Sequence, residues 1–136
     1  MSSEKWIFTA ECSLDSVAQG AAELQRYAGE IDLSSRKMFQ LDLIYEELLT
    51  NVVKYSYPDP AGHTITVTLE KQGEDCIFEV IHDGMDFNPW NVESPDLDLP
   101  LEERSEGGLG IHLVKQFSKS LDYSRENGMS IVKVVF

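Results

Sequence analysis

The sequence has few cysteines and no long apolar run. These two absences argue against a zinc-binding protein and a membrane-spanning protein. Its 136 residues include two cysteines and three histidines, and these positions do not have the spacing of a zinc site. We therefore expect Cys12 and Cys76 to be reduced, buried thiols. No stretch of about 18 apolar residues could span a membrane, and the N-terminus lacks the pattern of a secretory signal. The sequence thus predicts a cytoplasmic protein.

Positive charge is also scarce. The chain has 11 basic and 24 acidic residues, which gives a net charge of −13. A nucleic-acid backbone requires a basic patch on its partner, and anionic membrane surfaces attract basic segments. We therefore expect no direct nucleic-acid partner and no membrane partner, whereas a basic protein partner is compatible with this charge.

The remaining composition is that of an ordinary globular protein. Hydrophobic residues make up 42% of the chain and charged residues 26%, which are common values for soluble proteins. No repeat, low-complexity tract or interdomain linker interrupts the sequence. Residues 1–136 are therefore predicted to form one domain with its own core.

Hydrophobic periodicity predicts helices that alternate with antiparallel hairpins. Period-two alternation predicts strands at residues 5–10, 64–69, 76–81, 120–125 and 130–135, with a tight turn at Asn127-Gly128. Spacing of three and four predicts helices at residues 14–28, 35–55 and 110–117. Residues 86–106 show little periodicity and predict a long mobile loop. This order favours an α+β fold, a two-layer α/β sandwich whose mostly antiparallel sheet carries its helices on one face.

The predicted helix 35–55 is the most informative element. Its apolar stripe consists of Met38, Leu41, Tyr45, Leu48, Val52 and Tyr55. At about 100° per residue, Glu47, Asn51 and Lys54 share a fan of roughly 60° away from that stripe. Glu47 could deprotonate a nucleophile, Asn51 could ligate Mg²⁺ through its carbonyl oxygen, and Lys54 could contact a phosphate. The alternative is a solvated helix face with no chemical role.

Two glycine-containing segments follow. Gly107, Gly108 and Gly110 precede or open the last predicted helix, where free N–H groups and the helix dipole favour an anion. The segment lacks the Lys-Ser/Thr of a Walker A motif, and the alternative is a flexible loop. Earlier, Asp83-Gly84 follows a strand, where an aspartate beside a glycine turn could accept the exocyclic amine of a base. There the alternative is a turn that uses both residues for their backbone preferences.

Together these segments resemble the GHKL ATPase/kinase superfamily, and within it the bacterial anti-sigma-factor serine/threonine kinases. Residues 47–57 resemble the N box of that family, with glutamate and asparagine four positions apart. Residues 83–89 resemble its G1 box, residues 106–114 its G2 box, and residues 128–130 its terminal G-x-T-like turn. The resemblance covers nearly the whole chain.

The resemblance implies a Bergerat ATP-binding fold that uses ATP and Mg²⁺, with residues 86–106 as the ATP lid. It implies that Glu47 is the general base and Asn51 the Mg²⁺ ligand. The residues implied to bind the nucleotide are Asn51, Lys54, His82, Asp83, Gly84, Phe87, Gly107, Gly108, Leu109, Gly110 and Ser130.

One position departs from the family pattern. The family places its adenine-reading aspartate two residues before the glycine of the G1 box, where this chain has His82. Two alternatives follow. The acceptor nitrogen of a neutral His82 could receive the adenine amine, or Asp83 could be displaced into that role.

The resemblance also implies partners. A kinase of this type binds a sigma factor and phosphorylates a small anti-sigma-factor antagonist protein, and a homodimer is possible. An alternative function is a nucleotide-weak or non-catalytic protein-binding regulatory module of the same fold, which His82 favours. A purely structural α+β domain is the third alternative.

Overall fold

The computed structural model describes residues 5–91 and 109–136, which form an α+β sandwich. Its elements are β1 (Lys5–Glu11), α1 (Leu14–Glu30), α2 (Ser35–Tyr55), β2 (Thr64–Gln72), β3 (Asp75–His82), a short 3-10 helix (Pro89–Asn91), α3 (Leu109–Phe117), β4 (Ser120–Glu126) and β5 (Met129–Val135). The strands form one sheet in the order β1-β2-β3-β5-β4. Every neighbouring pair is antiparallel. This confirms the predicted fold class.

The helices pack on one face of the sheet, and alternation along the strands decides which face. On β3, Cys76, Phe78, Val80 and His82 are buried while the residues between them are partly exposed. Cys76, Phe78 and Val80 contribute to a core shared with the buried stripe of α2, and burial of such apolar side chains is the main stabilising term. Both cysteines are free and buried, as predicted.

Helix boundaries follow local capping chemistry. Ser13 and Ser34 are N-caps whose hydroxyl groups accept from the backbone N–H groups of Ser16 and Lys37, each at 3.1 Å. Such caps satisfy donors that the first helical turn leaves free. The predicted span of α2 is confirmed. Tyr55, which the sequence predicts to belong to the apolar stripe, is instead 51% exposed. Tyr55 lies in the last turn, and Tyr57, just beyond the helix, occupies the buried position instead.

The two C-terminal strands turn at Asn127 and Gly128, as predicted. Both residues have positive φ angles, 53° and 77°, which a two-residue hairpin turn requires. The register that follows pairs Arg125 with Ser130, and Ser130 in turn pairs with His82 on β3. Three polar residues from three strands therefore lie in one row across the sheet.

The segment after β3 is more regular than the sequence predicts. Residues 89–91 form a 3-10 helix instead of irregular loop, and two contacts hold this segment against the rest of the structure. Pro89 is buried, and the indole Nε1 of Trp90 donates to the Asp122 carbonyl oxygen at 2.9 Å. Residues 92–106 of the predicted loop, like Gly107 and Gly108, lie outside the described residues. No helix of the described segments is long and apolar enough to cross a membrane.

Candidate functional site

A cavity opens between α2 and the sheet at the end of β3. About 270 Å³ of space here is free of protein atoms when the open solvent at the mouth is counted, and about 10 Å³ of it can hold the centre of a water molecule. Its walls are Leu48, Asn51, Val52, Ser56, Val80, His82, Phe87, Pro89 and Val132. Mostly apolar walls with a few polar side chains are typical of a site for an organic ring. Three of the predicted ligand-binding residues, Asn51, His82 and Phe87, meet here.

His82 and Ser56 are the two buried polar residues of these walls, each with 2% of its surface exposed. The Nδ1 of His82 accepts a hydrogen bond from the backbone N–H of Gly84 at 3.1 Å. Burial lowers the pKa of His82, the positive charge of Arg125 lowers it further, and the charge of Asp83 opposes both. The ring is therefore neutral near neutral pH, and its acceptor nitrogen is already used within the chain.

Asp83 lies outside the cavity walls. Its side chain is 54% exposed, and its carboxylate accepts from the Tyr57 hydroxyl at 2.7 Å. That hydrogen bond, together with nearby His63, keeps the pKa of Asp83 below its usual range. His63 also stacks on the Tyr57 ring at 4.2 Å between centroids. Of the two residues that the sequence offers for base recognition, the structure brings His82 to the cavity.

Gly84 allows the chain after β3 to approach the end of α2. A Cβ atom at this position would lie 2.6 Å from the Ser56 carbonyl oxygen and 2.8 Å from the Ser56 Cβ. The same carbonyl accepts from the Met85 backbone N–H at 2.7 Å. Gly84 therefore shapes the wall that contains Ser56, because a side chain would collide with backbone.

Arg125 supports the site from outside the cavity walls, and the sequence alone does not single it out. Its Nη1 donates to the Gly84 carbonyl oxygen at 2.8 Å and to the Ser130 Oγ at 2.7 Å. Ser130 is fully buried, and the Tyr123 hydroxyl lies 3.2 Å from its Oγ. One feature of the sequence does predict the contact between Arg125 and Ser130. The two-residue turn at Asn127-Gly128 fixes the register of the hairpin, and that register sets Arg125 opposite Ser130.

Glu47 lies at the other end of the site, one helical turn before Asn51. It is half-buried, and burial raises its pKa, as does the charge of Glu46, whereas Lys54 lowers it. A Cβ atom on Gly110 would overlap the Cγ, Cδ and Oε1 atoms of Glu47. The carboxylate therefore packs directly against the first turn of α3, and only a glycine at position 110 leaves it that room.

The remaining predicted residues surround this end. Lys54 and Leu109 are exposed and do not contribute to the cavity walls. Within residues 5–91 and 109–136, no group of three His, Cys, Asp or Glu side chains could hold a metal ion. Mg²⁺ bound through nucleotide phosphates needs only one or two protein ligands. The amide of Asn51, partly exposed in the wall, fits that requirement.

Comparison with known proteins places this site in context. The profile of the family described as "Histidine kinase-like ATPase domain" matches residues 10–136. The serine/threonine-protein kinase BtrW of Bordetella bronchiseptica is 28% identical over 95 residues, which cover 70% of this chain and 67% of that protein. The serine-protein kinase RsbW of Bacillus mycoides is 24% identical over 99 residues, or 70% of this chain and 61% of that one.

A solved structure supports the same fold. The crystal structure of the RsbU and RsbW domains of a Mycobacterium tuberculosis protein superposes with a TM-score of 0.63 at 15% sequence identity. The match covers 97% of this chain but 32% of that one, so it concerns the fold of one part of the larger protein. With the GHKL-type arrangement of its sheet and helices, this chain belongs to the family of histidine kinase-like ATPase domains.

Proposed function

We propose that this chain is an ATP-dependent protein serine/threonine kinase of the anti-sigma-factor type. The observation that carries the proposal is the position of Glu47, which packs against Gly110 one turn before Asn51. This arrangement puts a carboxylate with a raised pKa one helical turn from a side-chain amide at the wall of a mostly apolar cavity. The names of the relatives, serine/threonine-protein kinase and serine-protein kinase, support the same reaction class.

The chemistry follows from residue types. Glu47 would take the proton from a serine or threonine hydroxyl, and its raised pKa strengthens it as a base. Asn51 would hold Mg²⁺, which neutralises charge on the transferred phosphoryl group when it is bound. The backbone N–H groups of Leu109 and Gly110, at the start of α3, would contact phosphate oxygens, as would those of Gly107 and Gly108. Lys54 would add positive charge nearby.

The partners belong to the proposal as well. By analogy with the family, the chain would bind a sigma factor in the cytoplasm and phosphorylate an anti-sigma-factor antagonist protein, acting as a homodimer. Its net charge of −13 favours a partner with a basic contact surface.

A second candidate function is a protein-binding regulatory module of the same fold that binds nucleotide weakly. Two contacts favour it. His82 replaces the family's aspartate, and its acceptor nitrogen already accepts a hydrogen bond from the Gly84 backbone N–H. Asp83 accepts a hydrogen bond from the Tyr57 hydroxyl and lies outside the cavity walls. Neither residue then offers an acceptor to an adenine amine, so ATP would lose one of its base contacts.

Calorimetry and a phosphotransfer assay separate the two functions. The protein is titrated with ATP and ADP, with and without Mg²⁺, and radiolabelled ATP is then offered with purified anti-sigma-factor antagonist proteins. A kinase binds nucleotide in a Mg²⁺-dependent manner and labels an antagonist, and Glu47→Gln abolishes the label while binding persists. Binding of a sigma factor without nucleotide binding or labelling would establish the regulatory module instead.

A further inference from the structure

The hydrogen bond between His82 and Gly84 fixes which nitrogen of the ring carries the proton. Nδ1 accepts from a backbone N–H at 3.1 Å, so it has no proton of its own. In a neutral imidazole the proton then lies on Nε2, which is a donor. In the described part of the chain, Nε2 has no hydrogen-bonding partner, while His82 contributes to the cavity wall. The ring therefore offers a ligand one N–H donor.

The neighbouring contacts hold this tautomer in place. The N–H of Gly84 cannot turn away, because Gly84 is wedged against Ser56 and the next residue, Met85, donates to the Ser56 carbonyl oxygen. On the other side, Arg125 donates to the carbonyl oxygen of Gly84. A proton on Nδ1 would oppose the Gly84 N–H and leave a buried donor without a partner, which is costly.

A single donor in this position distinguishes the two common kinds of purine. Position 6 of adenine carries an amine, which is a donor, whereas position 6 of guanine and hypoxanthine carries a carbonyl oxygen, which is an acceptor. If the His82 Nε2–H faces the adenine amine, two donors meet and neither is paired. A site built around a hydrogen bond discriminates strongly against a ligand that cannot form it. A carboxylate at position 82 would reverse this preference.

From this geometry we propose that His82 makes the base-binding end of the cavity selective for a 6-oxopurine nucleotide over an adenine nucleotide. The inference rests on the proposed function, since it assumes that the cavity holds the base of a nucleoside triphosphate. It changes the identity of the phosphoryl donor and leaves the roles of Glu47 and Asn51 unchanged.

Inosine triphosphate is the sharpest probe, because it replaces the amine of adenine by the carbonyl oxygen and adds no second amine. Calorimetric titration in the presence of Mg²⁺ should give a Kd for ITP that is lower than that for ATP by about tenfold. The His82→Asp variant should reverse the order, so that ATP binds more tightly than ITP. His63→Asn is the matched control, because His63 is a histidine outside the cavity walls, and it should keep the wild-type order.

The outcomes separate this inference from the proposed function. A wild-type protein that binds ATP more tightly than ITP overturns the selectivity and leaves the kinase proposal standing. A protein that binds neither nucleotide overturns both. Nitrogen NMR of the labelled imidazole gives a reading that does not depend on any variant: an unprotonated Nδ1 in the free protein supports the inference, and a protonated Nδ1 overturns it.

Discussion

The two ends of the candidate site are built on different kinds of scaffold. At the proposed phosphate end, Glu47 and Asn51 lie one turn apart on α2, so the helix itself sets their separation. At the proposed base end, His82, Ser130 and Arg125 come from three strands and meet only through the register of the sheet. The first arrangement is local in sequence, and the second depends on pairing between distant segments. Changes at the two ends should therefore have different effects.

The largest effect is expected at the phosphate end, from Glu47→Gln. This substitution keeps the shape of the side chain and removes the base, and loss of a general base costs about 10²–10⁴-fold in rate. Nucleotide affinity should change little, because the base acts mainly in the transition state. Phosphotransfer rates and calorimetry on the same preparation measure both. Wild-type transfer by this variant would remove Glu47 from the mechanism.

A smaller loss of rate is expected from Gly110→Ala. The added methyl group overlaps Glu47, and because Glu47 has a flexible side chain it should move while the fold remains. Misplacement of a catalytic group by about 1 Å can cost on the order of 10²-fold. Gly29→Ala is the control, since a methyl group there has no neighbour within 4 Å. If both variants transfer phosphate equally well, the contact between Gly110 and Glu47 has no catalytic importance.

Gly84→Ala tests the base end, where the effect should be on stability. Here the added methyl group meets the backbone of Ser56 at 2.6 Å, which cannot move as a side chain can. Overpacking of this kind destabilises by about 1–3 kcal/mol. Urea denaturation should show a lower midpoint with an unchanged slope. An unchanged midpoint would mean that the end of α2 adjusts freely, contrary to its close packing.

The smallest effect concerns the protonation of His82. Its folded-state pKa is lowered, so below the unfolded-state pKa of about 6.5 the unfolded chain binds more protons than the folded one. The free energy of unfolding should therefore fall as pH drops below that value, by at most about 1.4 kcal/mol per pH unit. The fall ends once the folded state is protonated too. Denaturation experiments at several pH values in this range give the free energy of unfolding of the wild type and of His82→Asn. The slope of that free energy against pH should be smaller for His82→Asn.

What the sequence predicts well is local. The end of α2 at Tyr55 and the turn at Asn127-Gly128 each depend on neighbouring residues, and the structure confirms both. The spacing of Glu47 and Asn51 is likewise a property of one helix.

What the sequence does not predict is long-range. The bond from Arg125 to Gly84 joins residues 41 positions apart, and that between Tyr57 and Asp83 joins residues 26 positions apart. The sequence predicts that the backbone N–H of Gly110 contributes to an anion site. The structure shows in addition that the absence of a side chain at Gly110 leaves room for Glu47. Such contacts depend on how the helices and strands pack, which no short motif encodes.

The turn from His82 to Gly84 has an evolutionary consequence. An aspartate can accept from a backbone N–H two residues on, just as the histidine ring does here, so either residue can occupy position 82 without rebuilding the turn. Histidine and aspartate codons differ by a single nucleotide. On the proposed selectivity, a lineage would exchange its preferred triphosphate in one mutational step, with the proposed roles of Glu47 and Asn51 unchanged. For protein engineers, the same proposal makes position 82 a route to kinases that use separate nucleotide pools.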